Sequence, residues 1–206
     1  QKFPTDNAAS LLPELAAQLE LTYTIDGNGA VEVAEVLTVD PAQKDMPHLF
    51  RFGMELTMPH QYDQICYYGR GPQESYSDRK AAALIGLYTE DVDDQYYPYI
   101  RPQESGNKTD VRYWKQIDRS GRGFEIRSDK PFQASALPYL TADLDDGVEK
   151  HQRHSGELTP RDLVNVHIDA VQMGVGGEDS WGSWPRPAYR LPYGDYSFRF
   201  VLVPIR

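Results

Sequence analysis

At 206 residues the chain can build one domain around a substantial core, and 40% hydrophobic with 12% aromatic content is a globular composition. A net charge of −10, with no basic run longer than a pair, argues against a nucleic-acid or anionic-membrane partner. The single cysteine, Cys66, excludes an intrachain disulfide and a cysteine-rich zinc site. No apolar run approaches membrane-spanning length, and the N-terminus lacks the charged-then-apolar layout of a signal peptide.

Residues 1–17 form a poorly defined N-terminal segment, and the patterned domain runs over 18–206. Leu19, Leu21, Tyr23 and Ile25 alternate with polar residues, as a half-buried strand does. Asp26-Gly27-Asn28-Gly29 marks a hairpin turn, and the return strand carries Val31, Val33, Leu37 and Val39 on one face. Phe50 to Met58 alternates again. Gln64 to Tyr68 is a strand holding Cys66, which reads as a buried, inert thiol. Ser77 to Ala83 has the capping chemistry of one or two helical turns, with Ser77 as cap and Asp78 at the helix start.

Tyr96 to Asn107 is aromatic and proline-punctuated, an ordered loop. Val111 to Asp118 and Phe124 to Arg127 flank the turn Ser120-Gly121-Arg122-Gly123, and Phe132 to Pro138 adds a strand. Asp143 to Gln152 reads as a short helix weakened by Gly147. Val164, Val166, Ile168 and Ala170 face opposite to Asn165, His167 and Asp169. Tyr196 to Leu202 supplies the last alternation. About ten strands with no sustained helical period describe an antiparallel all-β sandwich with one wet face per sheet.

The strand ending near Ala170 leads into Gly174-Val175-Gly176-Gly177-Glu178-Asp179-Ser180-Trp181, closed by Gly182-Ser183-Trp184-Pro185. A glycine-hinged loop on a rigid strand can present an aromatic plate to a sugar. Trp181 reads equally as a core residue beneath that loop. Glu178 and Asp179 would have to aim inward together to act as a glycosidase pair, which adjacent residues on a regular strand do not do. His151 and His154, three apart, would share one side of a helix, yet no further zinc ligands stand nearby, so a hydrogen-bonded surface pair is the plainer reading. His167 on a polar face fits either an acid–base residue or a cross-strand hydrogen bond. Asp143, Asp145 and Asp146 lack the late glutamate of a calcium loop. The residues themselves offer a β scaffold with aromatic-rich loops and no self-sufficient catalytic set.

Four stretches carry a resemblance. They are Tyr67-Tyr68-Gly69-Arg70-Gly71-Pro72-Gln73-Glu74-Ser75-Tyr76-Ser77-Asp78-Arg79; Pro98-Tyr99-Ile100-Arg101-Pro102-Gln103-Glu104-Ser105-Gly106-Asn107; His151-Gln152-Arg153-His154; and His167 through Gly174 to Trp181. In this order, from about Leu19 to Arg206, the chain resembles the C-terminal (fifth) domain of the bacterial β-galactosidases of glycoside hydrolase family 2. Pro4-Thr5-Asp6-Asn7 is similar to the motif that opens this domain, though it stands closer to the first strand.

The resemblance implies a galactose-mutarotase-like β-supersandwich, truncated at its N-terminal side because early strands of the first sheet are missing. Such truncation would leave a sheet edge to be covered by residues 1–17 or by a second copy. It implies a parent enzyme that is a retaining glycosidase acting on β-galactosides, with its catalytic glutamates in a separate (β/α)8 barrel. No catalytic residue, metal ligand or cofactor is then expected in this chain, any Mg or Na belonging to other domains of the parent. Partners would be the β-galactoside substrate, those other domains, and further copies in a homo-oligomer. The compartment stays open between bacterial cytoplasm and periplasm. The resemblance assigns Trp181 to substrate stacking at the active-site mouth, with Trp184 a weaker candidate. The competing functions are a free-standing carbohydrate-binding module, a mutarotase- or lyase-type enzyme using His167 with a carboxylate, and a purely structural interaction domain.

Overall fold

The computed structural model describes residues 17–42, 46–145, 153–177 and 182–206. Among the described residues, nine strands carry the fold: β1 (Ala17–Ile25), β2 (Val31–Val39), β3 (Arg51–Pro59), β4 (Gln64–Gly71), β5 (Leu84–Asp91), β6 (Lys108–Ile117), β7 (Gly123–Leu137), β8 (Leu163–Gln172) and β9 (Tyr196–Ile205). All pairings are antiparallel. The main path runs β1-β2-β9-β7-β6-β4-β5, and β8 joins β7 to β3.

The fork lies in β7, whose fifteen residues serve two neighbours in turn. Gly123–Arg127 pair with β9, whereas Gln133–Leu137 pair with β8. The two branches close on each other as a sandwich. One cluster joins Val33, Phe200, Ile126, Trp114 and Tyr67 to Val164, Val166 and Ile168 across the interior. A second joins Ala17 and Leu37 to Phe52. Trp114 is fully buried and donates its indole N–H to Gln116 at 3.0 Å. A buried ring of this kind removes about 150–250 Å² from water, or about 4–6 kcal/mol at about 25 cal/mol per Å².

The antiparallel all-β sandwich expected from the alternation is therefore present. The β1–β2 hairpin turns where expected, the Asp26 carboxylate accepting the N–H groups of Asn28 and Ala30 at 2.8 and 3.0 Å. Among the described residues β1 pairs with β2 alone; of residues 1–17, expected to cover a sheet edge unless a second copy does, 1–16 lie outside the description.

One expected helix differs. Residues 77–83 form turns, with Tyr76 and Arg79 exchanging backbone hydrogen bonds at 3.1 and 2.9 Å. The Asp78 carboxylate caps no helix, because it is spent on a distant loop described below. Where a helix was expected over 143–152, the described residues hold only the single turn α1 (Thr141–Leu144). There Asp143 accepts the Leu140 N–H at 2.9 Å and faces the Arg161 guanidinium at 2.5 and 2.6 Å. That pairing commits Asp143 to a cation, and residues 146–152 lie outside the described chain. Cys66 is half-buried, less enclosed than the expected inert core thiol.

Candidate functional site

β8 alternates cleanly. Val164, Val166 and Ile168 enter the core, so Asn165, His167 and Asp169 share the opposite face. Register sets Glu55 of β3 beside His167, and Gln133 and Ser135 of β7 beside Asp169 and His167. This polar face is buried rather than wet, since Asn165, His167 and Asp169 are 2%, 9% and 1% exposed.

Asp169 fits because β3 carries glycine opposite it. A Cβ on Gly53 would stand 2.2 Å from the Ile168 carbonyl oxygen and 2.6 Å from the Asp169 carboxylate. Arg51 reaches in from the same strand, with Nη2 2.9 Å from Glu104 and Nε 3.6 Å from Asp169. Burial raises the Asp169 carboxyl to about 7 against the pull of Arg51. Glu104 is raised too, by burial, with Arg51 and a Gln172 hydrogen bond opposing it. His167 is lowered to about 3 by burial and by Arg51. Its Nε2 lies 3.2 Å from Thr141 Oγ1 and 3.6 Å from Glu55. An imidazole held neutral to that extent is no general acid at neutral pH and only a weak base.

Glu74 is a second hub, half-buried. Its carboxylate accepts from the Arg79 guanidinium, the Tyr99 hydroxyl, the Tyr76 hydroxyl at 3.3 Å and the Gly106 N–H at 2.8 Å. Burial and this carboxylate push Tyr99 up to about 12. The adjacent Ser75 exchanges bonds with Asn107 and Thr109. His154 Nδ1 lies 3.0 Å from the Ile100 carbonyl. The loop over 96–107 is thus ordered by the segments on either side of it.

The glycine loop is anchored by Asp78. Its two carboxylate oxygens accept the N–H groups of Val175 at 3.2 Å and Gly176 at 2.7 Å. Gly174 itself donates to the Tyr189 carbonyl at 2.8 Å. A Cβ at 174 would sit 2.4 Å from Asp78 Oδ2 and 2.9 Å from Tyr189 Cβ, so only glycine lets the carboxylate approach. Where the loop returns, Trp184 is half exposed and meets His48 edge-on, ring centroids 5.4 Å apart at 62°. Trp181, Glu178 and Asp179, like His151, lie outside the described residues. Among the described residues, no group of three His, Cys, Asp or Glu is placed to hold a metal ion, and no helix is long and apolar enough to cross a membrane.

The hubs join segments far apart in sequence at one end of the sandwich: residues 74–79, 99–107, 154–155 and 174–176. These segments fall within or beside the four stretches singled out from the sequence. The chain matches the family described as β-galactosidase small chain over residues 4–202. It belongs to the β-galactosidase small-chain family. The match begins at Pro4, so the Pro4-Thr5-Asp6-Asn7 motif falls inside it. The chain is 38% identical over 191 residues to a β-galactosidase of Priestia megaterium, covering 92% of this chain and 18% of that protein. It is 38% identical over 181 residues to β-galactosidase BgaC of Bifidobacterium adolescentis, covering 85% and 16%. Identity to a Streptococcus thermophilus β-galactosidase is 32% over 197 residues, covering 94% and 18%. The small-chain match thus spans less than a fifth of the length of these relatives.

Sequence reasoning gave no role to Arg51, Glu74, Tyr99 or Glu104, and cast Asp78 only as a helix-start residue. Four of the five stand inside the stretches that carried the resemblance, and that density of charged and aromatic residues in loops was the available signal.

Proposed function

We propose that the chain is the C-terminal domain of a retaining β-galactosidase that hydrolyses terminal β-D-galactosides, its glycine loop forming an aromatic wall at the active-site mouth. The glutamates that cleave the glycosidic bond belong to a (β/α)8 barrel in another part of that enzyme, so this chain alone does not hydrolyse. Support comes from the relatives, which carry the name β-galactosidase and are several times longer than the matched segment. That disproportion favours one part of a larger enzyme over a free-standing sugar-binding module.

The observation that carries the wall is the Asp78 clamp on Val175 and Gly176. It fixes the loop root before substrate arrives, and a pre-ordered loop spends less binding energy on its own ordering. Trp181 then offers a flat apolar face to the C–H side of a pyranose, with Trp184 a lesser contributor on the return limb. In the full-length enzyme, Trp181→Ala raises KM for lactose by about tenfold, the loss of one aromatic contact, with the melting temperature unchanged. Wild-type KM and kcat in that variant would overturn the assignment of Trp181.

A further inference from the structure

Among the described residues β1 is bonded on one side only, to β2. The other side of its nine residues presents a row of N–H and C=O groups about 30 Å long, at about 3.4 Å per residue. Edges built to stay single carry lysine, proline or a bulge. Ala17–Ile25 has none of these. Its register with β2 is unbroken over all nine positions, and Glu20 is its sole charge.

The strand is also half bare. Ala17, Leu19, Leu21, Tyr23 and Ile25 share the core-facing side. Ala17 and Leu19 pack with Phe52 of the opposing branch, whereas Tyr23 and Ile25, further along, are 55% and 71% exposed. Gln18, Glu20, Thr22 and Thr24 occupy the outer side and are exposed. An apolar face that outruns its cover and ends at an open strand edge is a surface for association.

The strand is complementary to itself. Antiparallel pairing about a two-fold axis at Leu21 aligns all nine residues and keeps apolar on apolar. It sets Leu19 of one copy opposite Tyr23 of the other, Ala17 opposite Ile25, and Glu20 opposite Thr22. The covered half of each strand thereby meets the bare half of its twin, and the small core around Phe52 is extended across the axis. Neighbouring registers are worse. An axis at Glu20 puts two carboxylates face to face, and an axis at Thr22 leaves Ala17 and Gln18 without partners in the strand.

We propose that two copies of this chain associate edge to edge through β1, as one sheet continuous across a two-fold axis at Leu21. This contact does not depend on the role of Trp181. Sedimentation equilibrium of the 206-residue chain, from micromolar to near-millimolar concentration, tests it. The expected result is a monomer–dimer equilibrium within that range. Tyr23→Asp, a change at an exposed ring, abolishes the dimer while circular dichroism stays that of the folded chain. Thr22→Glu and Thr22→Lys decide the register. Glutamate there faces Glu20 twice per dimer and weakens association by about tenfold, whereas lysine faces it twice and tightens association. A chain that stays monomeric throughout, as it would if residues 1–16 covered the edge, would overturn the proposal. So would a dimer indifferent to Tyr23→Asp, or one on which the two charges at position 22 act alike.

Discussion

Glu35 offers the sharpest measurement of how this fold manages buried charge. It lies on β2 with 2% exposure, between Val33 and Leu37 on the core-facing side. Its register neighbours are Leu21 and Phe198, and its Oε2 has no partner among the described residues. Desolvation lifts the carboxyl from 4.5 to about 7. The folded state therefore keeps the proton between pH 4.5 and 7 while the unfolded state has lost it. Stability from this group is full below about pH 4.5 and falls as pH rises to 7. At about 1.36 kcal/mol per pH unit, the 2.5-unit gap amounts to about 3 kcal/mol.

The wild-type curve alone is a poor reporter, because other groups titrate in the same window. Asp169, raised to about 7, loses stability with rising pH as Glu35 does. His167, lowered to about 3, works in the opposite direction between about 3 and 6.5. The informative quantity is the difference between wild type and Glu35→Gln in urea unfolding from pH 4 to 8. That difference shifts by about 3 kcal/mol in favour of the variant across the window, whatever constant penalty the buried amide adds. A difference curve flat from pH 4 to 8 would refute the desolvation argument.

Two further outcomes follow from the geometry. Gly174→Ala drives a methyl into the Asp78 carboxylate and costs about 1–3 kcal/mol, a drop of about 2–12 °C in melting temperature. Asp78→Ala costs a similar amount, and the double variant costs no more than either, because one clamp is lost in all three; additive losses would show the contact to be idle. The His167 imidazole, followed by NMR in the intact fold, stays neutral from pH 8 to about 4, and a midpoint near 6.5 would place it in solvent rather than against Thr141 and Glu55.

How much of this was written in the pattern can be judged strand by strand. Alternation in β8 told which of Val164 to Asp169 enter the core, since a strand has only two faces. The same rule passed over Glu35, because a carboxylate between Val33 and Leu37 reads as a break in the apolar face, and only the opposing sheet reveals that the position is sealed. Periodicity could not show that β7 is one strand serving two sheet branches, since a change of neighbour leaves the local alternation unaltered. Asp78 shows the limit most clearly. With Ser77 before it, it looks like a helix start, and a carboxylate there would satisfy free N–H groups of its own segment. In the fold it satisfies those of residues 175 and 176, nearly a hundred positions away. The local signal was right about the chemistry, a carboxylate seeking orphan amides, and silent about whose amides they would be. That choice depends on β8 delivering Gly174 to within reach, so the loop carrying Trp181 and the turn carrying Asp78 are a single device, and changing either should alter both.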